Sequence, residues 1–109
     1  MFGTHGGTGN GGYFVAQKGA GVVGQGQYGV VGEGNIGLLV LGTQAGIQCD
    51  GFHRGGVFAG NDAQISLQPS KKAHPKSGQA GDLFLDKSKK LWLCVKGGTP
   101  ATWKQVQVH

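Results

Sequence analysis

Glycine and the apolar residue behind it set the rhythm of the chain from Gly12 to about Ala63. The lead glycines Gly12, Gly21, Gly29, Gly37, Gly46 and Gly55 follow one another after 9, 8, 8, 9 and 9 residues. Tyr13, Val22, Val30, Leu38 and Ile47 come directly after the first five, and Val57 follows Gly56. Such a repeat governs the whole architecture, so it outranks any local motif. Each unit has room for one short strand of β-branched or aromatic residues and one tight reversal at glycine. Helix is disfavoured, because each interior glycine costs it about 1 kcal/mol relative to alanine. The period also excludes the glycine triplet of collagen.

Stacked units bury a continuous apolar stripe, as in a solenoid, yet a unit this short does not close a coil by itself. The expected fold is all-β: a glycine-rich repeat shaft of short stacked strands. Three copies share each layer as an interwoven trimeric β-helix or β-prism, whose cyclic symmetry satisfies the strand edges. A monomeric left- or right-handed β-solenoid with two units per coil is the alternative.

The pattern changes after the shaft. Residues 1–11 form a glycine-rich leader, 12–68 the shaft, 69–80 a linker loop and 81–109 a C-terminal meander. Gln64-Ile-Ser-Leu-Gln68 alternates as one more strand. The segment from Pro69 to Ala80 carries two prolines and no periodicity. Beyond it, Gly81–Asp86, Lys90–Val95 and Trp103–Val108 read as three strands, joined by turns at Lys87–Lys89 and Gly97–Ala101. Leu83, Leu85, Trp92, Cys94, Trp103, Val106 and Val108 are available to line one face of this sheet. So small a sheet needs a partner surface.

Composition strengthens the case for several copies. Glycine supplies 24 of 109 residues, against about 7% in ordinary chains, so a single copy has little bulk with which to build a dry interior. The charge of +5 is uneven. Residues 1–70 hold Lys18 and Arg54 against Glu33, Asp50 and Asp62; residues 71–109 hold eight lysines against Asp82 and Asp86. A basic tip of this kind attracts acidic polymers or simply stays solvated. No secretory signal or membrane-spanning run is present, Gly37-LLVLG being too short for either. Cys49 and Cys94 fit no metal pattern and are expected as unpaired, buried thiols.

Several motifs yield no chemistry. G-x-G-x-x-G occurs at Gly19–Gly24, Gly24–Gly29 and Gly32–Gly37; a dinucleotide site needs a helix after it, and none is expected, so the copies read as by-products of the repeat. Cys49 and His53 are four apart, but in a strand and turn they face different ways and lack an orienting third group; with Asp50 and Arg54 they read as a polar turn. His5, His53, His74 and His109 would hold a metal only by convergence between chains. The aspartates of calcium solenoids are lacking. No metal, cofactor or catalytic residue is expected.

Units such as Gly29-Val-Val-Gly-Glu-Gly resemble the G-V-x-G repeats of phage tail-fibre-like proteins and bacterial surface fibres. The ending Gly81-Asp-Leu-Phe-Leu-Asp86, Leu91-Trp-Leu-Cys94, Gly98-Thr-Pro and Trp103-Lys resembles a module that closes many such proteins. Gly37-LLVLG and Gly46-IQCDG depart from the plain form, and the winding is expected to change there. The resemblance implies a trimeric fibre, structural or adhesive rather than enzymatic, of a virion or cell surface. Its expected partners are sister copies and a surface glycan or other acidic polymer, with nucleic acid disfavoured. The candidate adhesion surface is Phe84, Trp92, Trp103, Lys90 and Lys104, where aromatics stack on sugars and lysines meet anions. The rival reading is a carbohydrate-binding module using the same aromatics.

Overall fold

The computed structural model describes residues 6–108. His5 and His109 lie outside the described residues, as does the start of the leader. No helix forms among the described residues, and the regular structure is one antiparallel sheet. The chain divides into two compact units, one up to Gln48 and one from Cys49.

In the first unit bends recur along the chain, the longest at 26–29 and 34–37. Two of the three G-x-G-x-x-G copies are the loops themselves. A Cβ on Gly24 would run into the carbonyl oxygen of Gly29, and one on Gly32 into that of Gly37. The middle glycines, Gly26 and Gly34, have φ of 152° and 157°. The first glycine therefore permits the chain to close on itself, and the middle one turns it. From Gly42 onward the loop is smaller: Gly42 closes on Ala45, Gly51 on Arg54 and Gly60 on Ala63. The spacing of the closures thus changes between Gly32 and Gly42, around Gly37-LLVLG, where the repeat departs from its plain form.

Along the whole of this stretch the chain leaves its polar backbone unpaired. Among the described residues, none from 10 to 69 makes a hydrogen bond within the chain, and all are exposed. The apolar residues after the lead glycines share that exposure: Val22, Val30, Leu38 and Ile47 all face solvent. The run Gln64–Gln68, expected as a strand, has no ladder partner.

The second unit ends in the meander. Strands β1 (Leu83–Leu85), β2 (Leu91–Lys96) and β3 (Thr102–Gln105) pair antiparallel in the order β1-β2-β3. Phe84 lies opposite Trp92, and Cys94 opposite Trp103, while Leu83 and Leu85 lie opposite Leu93 and Leu91. Side chains alternate along a strand, so this register splits the residues expected on one face. Phe84, Trp92, Cys94 and Trp103 share one side; Leu83, Leu85, Leu91, Leu93 and Lys104 share the other. The physical reason is the length of the β1–β2 connection, which fixes which residues stand opposite. β3 is shorter than expected, and Val108 lies beyond it, 88% exposed.

Candidate functional site

The aromatic face is built around Asp86, which closes β1. Asp86 is the one buried charged side chain among the described residues, 7% exposed. Its Oδ1 accepts from the backbone N–H groups of Ser88 (2.8 Å) and Lys90 (2.9 Å). Its Oδ2 accepts from the indole Nε1 of Trp92 at 2.9 Å. One carboxylate therefore shapes the β1–β2 turn and orients an aromatic ring. The turn is completed by Lys89 at φ 64° and by the bonds from Asp86 N to Lys90 O and from Lys89 N to Asp86 O.

These donors hold the Asp86 carboxyl below its ordinary value of 3.8. The Lys90 N–H contributes most, then the Trp92 indole; the Ser88 N–H and the Lys90 ammonium add to them, and burial opposes them. Because the folded value is depressed, the carboxylate's stabilisation is fully present above the unfolded value and is lost as pH falls through the folded one. The meander is accordingly expected to weaken in acid below about pH 3.8. Trp fluorescence during acid titration checks this, and Asp86→Asn should lower stability at neutral pH while flattening that acid limb.

The segment 69–80 crosses the aromatic face as a strap. It starts beside β1, where Ser70 N donates to Leu85 O at 2.9 Å and Lys87 N donates to Lys72 O at 3.0 Å. It ends beside the β2–β3 turn, where Ala101 N donates to Lys76 O (2.7 Å) and Gly78 exchanges both backbone bonds with Gly98 (3.3 and 3.0 Å). Between these anchors His74 lies against Trp92 and Trp103, with ring centroids 4.6 and 5.3 Å away. Phe84 meets Trp103 edge-on at 6.4 Å. Underneath sits Cys94, 1% exposed, its Sγ donating to Lys96 O at 3.4 Å. Trp103 Nε1 is buried with no partner.

Of the candidate adhesion residues, Phe84, Trp92 and Trp103 thus come together, roofed by the chain's own His74. Lys104 pairs with Leu93 on the opposite face, and Lys90 belongs to the turn. From the sequence His74 is weighed only as a metal ligand and not among the adhesion residues, and Ala73-His74-Pro75 carries no periodic signal that would have placed it against the aromatics. Both cysteines are free; Cys94 is buried as expected, whereas Cys49 is exposed. Among the described residues no three His, Cys, Asp or Glu side chains converge, no pocket opens, and no helix is long and apolar enough to cross a membrane. Comparison with protein-family models, curated proteins and solved structures gives no match for the chain.

Proposed function

We propose that the chain is a structural subunit of a fibre, assembled as a homotrimer, without catalytic activity and belonging to a virion or cell surface. The observation that carries this reading is the double vacancy of residues 10–69. Their backbone groups make no hydrogen bond within the chain, and their Val, Leu, Ile and aromatic side chains are exposed. Apolar surface left on water is unfavourable by about 25 cal/mol per Å², and contiguous patches of it mark interaction surfaces. Identical copies offer identical runs at the same height, so interchain ladders satisfy every layer by one symmetry rule.

The meander fits the same scheme. On its leucine side Leu83 is 59% exposed and Leu85, Leu91 and Leu93 are half-buried, and a three-stranded sheet gains stability from a surface laid against it. Sister copies supply that surface. On the aromatic side the half-buried Trp92 and Trp103 already carry the chain's own His74 against them, which favours packing over sugar stacking.

Multi-angle light scattering is expected to give a particle of three times the 11.2 kDa chain. A lone, cooperatively melting species of single-chain mass would overturn the proposal.

A further inference from the structure

The structure gathers five of the ten cationic residues of the chain at one end of the meander. Lys87, Lys89 and Lys90 occupy the β1–β2 connection. Lys71 and Lys72 are brought beside them by the bonds Ser70 N to Leu85 O and Lys87 N to Lys72 O, 2.9 and 3.0 Å. All five are exposed. The carboxylate within this group is Asp86, and its oxygens are already engaged by Ser88 N, Lys90 N and Trp92 Nε1. Asp82 stands at the opposite end of β1, where it accepts from Gln79 N. Main-chain bonds therefore hold like charges together with little internal compensation. Such an arrangement raises the local potential and draws counter-charge from solution.

From this placement we infer that the lysine pole, Lys71, Lys72, Lys87, Lys89 and Lys90, is the docking surface for a linear acidic polysaccharide. Ammonium groups on flexible stems are compact point charges that follow carboxylates or sulfates spaced along a chain. Single-stranded nucleic acid grooves pair their charge with stacking aromatics, whereas the half-buried indoles of this unit, Trp92 and Trp103, already carry His74 against them. The pole is complete within one chain, so it does not rest on the trimer, and a mass measurement on the same samples separates the two proposals.

The remaining five cations, Lys18, Arg54, Lys76, Lys96 and Lys104, provide a charge-matched control. Heparin binding to the full chain is measured by calorimetry at about 0.15 M salt. Changing the five pole lysines to Gln is expected to cost at least about tenfold in affinity and to flatten the salt dependence. Changing the other five to Gln should cost markedly less. Equal losses would reduce the effect to net charge and overturn the inference, as would no heparin binding by the unaltered protein. Tighter, equally pole-dependent binding of oligothymidylate would assign the pole to nucleic acid instead. Lysine acetylation of the unaltered protein gives a second reading independent of variant folding. Heparin should protect the pole lysines and leave Lys76, Lys96 and Lys104 reactive; uniform protection overturns the assignment.

Discussion

The substitution Gly78→Ala is expected to lift the strap from the aromatic face and to destabilise the C-terminal unit by about 1–3 kcal/mol, the usual range for overpacking a filled site. A Cβ at Gly78 would stand 2.7 Å from Trp103 Cζ2 and 3.2 Å from Cys94 Sγ. Trp103 is set opposite Cys94 by the ladder, and Cys94 is buried beneath the strap. Retreat of the strap in turn breaks the two Gly78–Gly98 bonds and opens the indoles to water. Denaturant unfolding followed by Trp fluorescence measures the loss. Ser77→Ala, one residue away at an exposed position, should stay within about 0.5 kcal/mol of the parent. An unchanged midpoint for Gly78→Ala would show that the strap does not pack as described.

The second large effect is expected in the glycine-led repeats. In Gly32→Ala the new methyl meets the carbonyl oxygen of Gly37, a backbone atom that no rotamer change moves aside. The loop must open, at about 1–3 kcal/mol per chain, and a trimer would feel this three times in one layer. A lower melting temperature of the proposed assembly, with partial loss of the trimeric mass, is the expected result. At Gly46→Ala the nearest atom is Val40 O at 3.9 Å, so this variant should melt like the parent. If both variants melt alike, the tight loop is not a constraint on assembly.

The two sites also illustrate what the sequence conveys and what it withholds. The three strands of the meander are legible because Leu-Phe-Leu, Leu-Trp-Leu-Cys-Val and Trp-Lys-Gln-Val alternate between turn residues, a signal contained within a few positions. The change at Gly37-LLVLG is legible for the same reason: the repeat itself loses its form there. The allocation of side chains to faces is not local. It depends on how Asp86 and Lys89 shape the turn, and Leu83 and Leu85 accordingly lie on the other side from Trp92. The strap is the least legible element. It is held by main-chain bonds from Ser70, Lys72, Lys76 and Gly78, which residues of almost any type can make, so Pro69–Ala80 reads merely as polar and irregular. Phe84, Trp92 and Trp103 were grouped by the sequence alone, whereas the grouping of Lys71 and Lys72 with the turn lysines required the fold.

The switch from loops closing five residues on to loops closing three residues on divides the repeats into two kinds of step. Copying Gly29–Ile36 once more into its own neighbourhood adds an eight-residue step of the local kind. Transplanting the nine residues Gly46–Arg54 into that neighbourhood advances every later residue by one extra position. A copy taken from the same side of Gly42 keeps the local loop size, whereas one carried across it sets a three-residue closure among five-residue ones.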